Sequence, residues 1–236
     1  MLAEKNKLEE MTKAGMHFGY SRSRRHPRMS PYIFGARNNI EIFDLDKTVQ
    51  KLEEAKNFVR NLGRENRKIL FVGTKIEAKK IIEEFSKTID MPFVSERWLG
   101  GILTNFKVIR NRMNYMDDLI KKRESGELNK YTKQERLKIE KEISDLKRNF
   151  GGLGKWESLP AALIIVDSKE EKNAIAEAKK VSIPIIAIVN SDCNPEDADY
   201  PIPANDNSLS SIQYIISELT DAYKEGLKDQ AKEKNE

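Results

Sequence analysis

The chain has 236 residues, 39% of them hydrophobic and 34% charged, with a net charge of +4. Its apolar share lies below and its charged share above the usual globular values, so a core can form but part of the chain must be a solvated, charged element. The single cysteine (Cys193) excludes an intrachain disulfide, no apolar run approaches the roughly 18 residues of a membrane span, and the first residues lack an apolar signal stretch, all of which fits a protein of the reducing cytoplasm.

Taken in chain order, the first distinctive stretch is Arg22-Ser-Arg24-Arg25-His26-Pro27-Arg28, with no acid and little apolar content. Asn39–Asp44 alternates and predicts a strand near a sheet edge. Leu45–Leu62 carries apolar residues at 45, 49, 52, 55, 59 and 62, the spacing of an amphipathic helix. Lys68–Gly73, Ala161–Asp167 and Ile183–Asn190 are short apolar runs that suit parallel strands covered on both faces. Lys75–Ile89, Lys169–Val181 and Leu209–Leu227 predict helices between and after them. This alternation predicts a three-layer α/β fold around a mainly parallel sheet.

Residues 105–150 break that pattern. Phe106, Ile109, Met113, Met116 and Ile120 follow heptad-like spacing, and Ser125-Gly126 interrupts the run. Thr132-Lys-Gln-Glu135 reads as a capping box, and Ile139, Ile143, Leu146 and Phe150 resume the spacing. The stretch predicts an antiparallel coiled-coil hairpin inserted into a discontinuous α/β domain of residues 1–104 and 151–227. Residues 228–236 read as a flexible charged tail.

The cations are sorted along the chain. Residues 1–40 and 105–150 each carry a net +5, which leaves the rest of a +4 chain at −6. A polyanionic partner accounts for that sorting, since each phosphate contact releases condensed counterions. Solvated surface charge is the alternative, but the Arg22–Arg28 segment is too polar for a core, and arginine both forks onto phosphate and stacks on bases. Phe18, Tyr20, Tyr32 and Phe34 nearby read as stacking platforms or as anchors into the core.

Other motifs favour no chemistry. Phe71-Val-Gly73-Thr74-Lys75 closes a strand and opens a helix, where α/β folds bind phosphate, but it lacks the P-loop spacing, and no G-x-G-x-x-G occurs. Thr74 is the expected cap of that helix. Arg97-Trp98-Leu99-Gly100-Gly101 reads as a loop that aims Trp98 and leads into the hairpin. A metal site built from His17, Asp192, Cys193 and Asp206 has no supporting ligand spacing. The residues imply neither an enzyme nor a cofactor, metal or small-molecule substrate.

Four stretches carry a family resemblance: Ala14–Gly19, Pro31–Asn38 with Ile42–Val49, Phe71–Lys75 with Arg97–Phe106, and Ile183–Val189 through Asn194 and Tyr200–Pro203 to Asp206. Together they resemble the S-two family of bacterial small-subunit ribosomal proteins, from about Met11 to Leu219. The chain departs from the family pattern at Tyr20, where histidine is usual, at Arg25-His26, where Trp-Asn is usual, and across Gly151–Pro160. The resemblance implies a flavodoxin-like domain with a protruding coiled-coil hairpin and no catalytic activity. It also implies a place on the ribosome, on the solvent side at the junction of head and body. There the chain would bind small-subunit rRNA, lie beside other small-subunit proteins, and help hold the S1-type protein. The expected RNA contacts are Arg22, Arg24, Arg25, His26, Arg28, Arg37, Arg97, Trp98, Asn105, Lys107 and Arg110.

Overall fold

The structure, a computed structural model, describes residues 2–154, 156 and 158–233. The helices are α1 (Leu2–Lys13), α2 (Leu45–Arg64), α3 (Ile76–Thr88), α4 (Phe106–Glu124), α5 (Lys133–Phe150), α6 (Lys172–Lys180) and α7 (Leu209–Glu233). The strands are β1 (Phe18–Ser21), β2 (Ile33–Arg37), β3 (Ile40–Phe43), β4 (Ile69–Val72), β5 (Phe93–Val94), β6 (Ala162–Val166), β7 (Ile185–Val189) and β8 (Tyr200–Pro203).

Five strands form a parallel sheet in the order β5-β4-β6-β7-β8. Counted from β4, this is the 2-1-3-4-5 order of flavodoxin-like folds. The three central strands β4, β6 and β7 are buried at every position, because helices cover both faces. Alternate residues divide between two cores. Ile69, Phe71, Ile164, Val166 and Ile186 meet α2, α3 and α7 on one face. Leu70, Val72, Leu163, Ile165 and Ala187 meet α6, Trp98, Ile102 and the base of the α4–α5 pair on the other. β8 tolerates Pro201 and Pro203 because it is an edge strand, where a missing N–H interrupts no second ladder. β1, β3 and β2 form a separate antiparallel ribbon with β3 in the middle.

Helices α2 and α7 cross closely, and small residues set the distance. A Cβ on Gly63 would stand 3.1 Å from the Gly226 Cα and closer still to the Tyr223 carbonyl oxygen. Helix α7 also continues to Glu233, so residues 228–233 are helical rather than the flexible tail that their composition suggests; residues 234–236 of that expected tail lie outside the described residues.

In the 105–150 stretch, α4 and α5 pack on one another, with a 3.7 Å ion pair from Arg123 to Glu140 between them. The capping box is present: the Thr132 N–H donates to Glu135 Oε2 at 2.9 Å, and the Glu135 N–H donates to Thr132 Oγ1 at 3.4 Å. Ile109, Met113, Met116, Ile143 and Phe150 are buried along the seam, joined by Leu119, which the heptad spacing passes over in favour of Ile120. Ile109, Met113, Met116 and Phe150 also belong to the second core of the sheet domain. The base of the pair is therefore continuous with the domain.

That continuity sets where the pair can be cut. Replacing residues 118–141 with a short Gly/Ser linker is expected to leave a cooperatively melting sheet domain. Excising 105–150 removes four core side chains, each worth about 2 kcal/mol or more, and is expected to lower the melting temperature sharply or abolish folding. Thermal melts followed by circular dichroism distinguish the two.

Candidate nucleic-acid interface

The first basic segment folds as two 3-10 turns, Arg22–Arg24 and Pro27–Tyr32, laid against the β1–β3–β2 ribbon. Met29 is fully buried and anchors the segment in the second core. The backbone is fixed at both ends: the Arg22 N–H donates to the Asn39 carbonyl at 2.9 Å, and the His26 N–H donates to the Ser191 carbonyl at 2.8 Å. His26 Nδ1 accepts the Arg28 N–H at 3.3 Å, so this imidazole caps a turn.

The arginines divide into two groups. Arg28 pairs with Glu196, and Arg25 Nη1 lies 3.4 Å from the buried Glu41. Arg25 is thereby tied to the fold through a buried partner, whereas Arg28 and Glu196 are both more than half exposed and their surface pair leaves Arg28 facing solvent. Arg22 and Arg24 are exposed and have no ion-pair partner among the described residues; the Arg24 guanidinium lies 5.4 Å from the Tyr20 ring centroid. Arg37, on β2, is likewise exposed without such a partner among the described residues. Of the aromatic neighbours, Phe34 is 82% exposed and Phe18 is 45% exposed, so neither serves as a core anchor.

The second expected region is the loop from Arg97 to Asn105. Here the structure corrects the expectation for Trp98, whose indole is buried and donates its N–H to Glu177 Oε1 at 3.0 Å. Glu177, on α6, also accepts the N–H groups of Gly101 at 2.7 Å, Leu103 at 3.0 Å and Thr104 at 3.1 Å, with the Thr104 hydroxyl at 3.1 Å. The loop is thus wrapped around one carboxylate. Gly101 takes φ +96°, a backbone state that glycine adopts without strain. Burial opposes the charge on Glu177, but these donors outweigh it and hold its pKa below the usual range. Arg97, Asn105, Lys107 and Arg110 are exposed around this anchored loop and the start of α4. Met29, Trp98, Ile102 and Ile109 share the second core, so both basic regions rest on the same side of the sheet.

The crevice at the carboxyl ends of β4 and β6 is where this strand order usually binds ligands. Here the chain's own side chains fill it. Lys75 Nζ lies 3.3 Å from Asp167 Oδ2, 3.2 Å from Asp206 Oδ2 and 3.4 Å from the Tyr20 hydroxyl. The Lys75–Asp206 approach is an ion pair without hydrogen-bond alignment. The Thr74 N–H, at the turn where a phosphate would sit, donates to Glu171 Oε1 at 2.8 Å. Lys75, not Thr74 as its residue type suggests, stands at the cap of α3. Lys75 is thus paired with two carboxylates, and a third, Glu171, occupies the turn that would otherwise offer its N–H to an anion. Burial raises the Cys193 thiol to about 12, which makes it unreactive. Among the described residues, no three His, Cys, Asp or Glu side chains are grouped to hold a metal.

Asp167 and Asp206 compete for Lys75. Burial and the Asp167 charge push Asp206 up to about 6, whereas Lys75 and backbone donors hold Asp167 below the usual range despite its burial. The folded chain thus keeps a proton on Asp206 that the unfolded chain releases near pH 4, so this group's contribution to stability falls as pH rises from about 4 to about 6. Asp206→Asn is expected to remove that decline, read from urea unfolding midpoints across the same window. An identical pH profile in the variant would show that Asp206 does not carry the proton.

The fold and its surface define a flavodoxin-like scaffold. Its ligand crevice is closed by its own polar side chains, and exposed cations sit beside the base of a helix pair. Residues 11–226 match the family described as ribosomal protein S2. The chain is 45% identical over 215 residues to the small ribosomal subunit protein uS2 of Karelsulcia muelleri (strain GWSS), an alignment covering 91% of this chain and 97% of that protein. It is 43% identical over 215 residues to the protein of the same name from Dehalococcoides mccartyi, covering 91% and 88% respectively. The chain belongs to the ribosomal protein S2 family, and as a member it is a structural constituent of the small subunit of the cytoplasmic ribosome, not an enzyme. Among the described residues, no helix is long and apolar enough to cross a membrane.

Proposed function

We propose that this chain binds small-subunit rRNA on the solvent side, where head meets body, and helps anchor the S1-type protein there. The observation that carries the RNA contact is the exposure of Arg22 and Arg24 on a backbone tied down at both ends, and of Arg37 on the paired strand β2. Charges held in register cost little ordering entropy when they meet phosphate. Arg97, Asn105, Lys107 and Arg110 extend the same contact along the anchored loop and the start of α4. The α4–α5 pair acts as a coiled-coil projection, consistent with its heptad spacing, and reaches toward neighbouring proteins.

Hydroxyl-radical cleavage of small-subunit rRNA, with and without the chain, tests this reading. Protections clustered at the head–body junction are expected; protections confined to other regions would overturn it. Subunits assembled without this chain are expected to hold the S1-type protein more weakly.

A further inference from the structure

Between the first basic segment and the β2–β3 ribbon lies a groove of about 290 Å³, lined by Arg22, Arg25, Ser30, Phe34, Gly35 and Glu41 among others. Its composition is unusual for a protein surface. Glu41 is 1% exposed, and its Oε1 accepts no hydrogen bond among the described residues. Arg25 Nη1, at 3.4 Å, supplies opposite charge but no aligned hydrogen bond. A buried carboxylate oxygen left without a donor is unfavourable and marks a place where a donor belongs. Phe34 presents an 82% exposed ring in the same wall. At Gly35, nothing lies within 4 Å of where a Cβ would stand, so the wall is open there.

We infer that this groove takes one unpaired guanine base of RNA, stacked on Phe34 and read at its Watson–Crick edge by Glu41 and Arg25. The inference rests on the RNA-binding reading above and names what one part of that surface selects. Guanine alone among the four bases sets two adjacent donors, N1–H and N2–H, beside an acceptor, O6. A carboxylate accepts both donors, and a neighbouring guanidinium donates to O6. Adenine and cytosine each place an acceptor opposite the carboxylate, and uracil flanks its one N–H with two carbonyls. Arg22, exposed at the groove's rim, suits the flanking phosphate. The two arginines also repel a cationic side chain, which disfavours a protein partner's Lys or Arg as the missing donor. Stacking on an aromatic ring with hydrogen bonds to the Watson–Crick edge is the general way that proteins read unpaired RNA bases.

The test uses the full chain and fluorescein-labelled uridine nonamers with one central guanosine, inosine, adenosine or cytidine. Fluorescence anisotropy is expected to show guanosine bound about tenfold tighter than adenosine or cytidine. Inosine, which lacks the N2 amine, is expected to fall between them. Glu41→Gln is expected to erase the preference, and Phe34→Ala to weaken guanosine binding by about fivefold or more. Circular dichroism checks that both variants fold; if Glu41→Gln does not, the base series on the unaltered chain decides alone. Equal affinity for all four oligomers, or a guanosine preference that survives Glu41→Gln, overturns the inference. If the chain binds small-subunit rRNA yet discriminates no base, the groove assignment alone fails. If it binds no RNA at all, the proposed function fails with it.

Discussion

Replacing Glu177 with alanine is expected to destabilise the chain by about 3 kcal/mol or more, a loss reached only when several buried groups lose partners at once. Five donors converge on this carboxylate: the Trp98 indole, three loop N–H groups and the Thr104 hydroxyl. Alanine leaves the buried Trp98 and Leu103 N–H groups without an acceptor, turns the Gly101 and Thr104 donors over to water, and opens a void against Trp98. Glu177→Gln keeps the shape but turns an amide N–H₂ toward N–H donors, so a smaller loss is expected. The pH dependence follows from the lowered pKa of Glu177. The stabilisation is fully present above the ordinary glutamate pKa of about 4.3 and is lost as pH falls through the lower folded value. Urea unfolding at neutral pH, followed by tryptophan emission, measures the effect. A change under about 1 kcal/mol would show that the loop holds its shape without this anchor.

Replacing Arg22, Arg24 and Arg37 together with glutamine is expected to lower the slope of log affinity for small-subunit rRNA against log salt by about 2 to 3 units, at about 0.7–0.9 per phosphate contact. The melting temperature should hardly move, because exposed substitutions usually change stability by no more than about 0.5 kcal/mol each. Arg25→Gln is expected to behave differently. It strands the buried Glu41 carboxylate and should cost about 1 kcal/mol or more, even after allowing for the partial exposure of the arginine. Filter binding over a salt series checks the slopes. A triple variant with the slope of the parent chain would move the RNA contact to other residues.

The contrast between these arginines shows where sequence reasoning reaches its limit. Arg22–Arg28 is legible as a segment that cannot be core, but its composition does not separate the arginines that meet Glu41 and Glu196 from those with no such partner among the described residues. The partners lie on β3 and in the turn before β8, and only the fold brings them close. Trp98 is a similar case. A tryptophan between arginine and glycines reads as a presented ring, while its acceptor on α6 is 79 residues away. The buried strands β4, β6 and β7 were legible because burial on both faces demands continuous apolar runs. β5, with two residues, and β8, with two prolines, carry no such signal. Within the site, the pattern located the cations but left Glu41 and Phe34 unremarked as a pair. Asn39–Asp44 alternates as an edge strand would, yet β3 lies in the middle of its ribbon, paired on both sides, and alternation does not disclose which face a groove will use.

In the proposed function, Arg22, Arg24 and Arg37 hold this chain on the small subunit. Sucrose-gradient co-sedimentation with small subunits lacking the protein tests it most directly, comparing the parent chain with the Arg22→Gln, Arg24→Gln, Arg37→Gln variant over increasing salt. The parent chain is expected to migrate with the subunit, and the variant, equally stable, to dissociate at distinctly lower salt. A variant that stays bound as long as the parent, or a parent chain that remains at the top of the gradient, would contradict it.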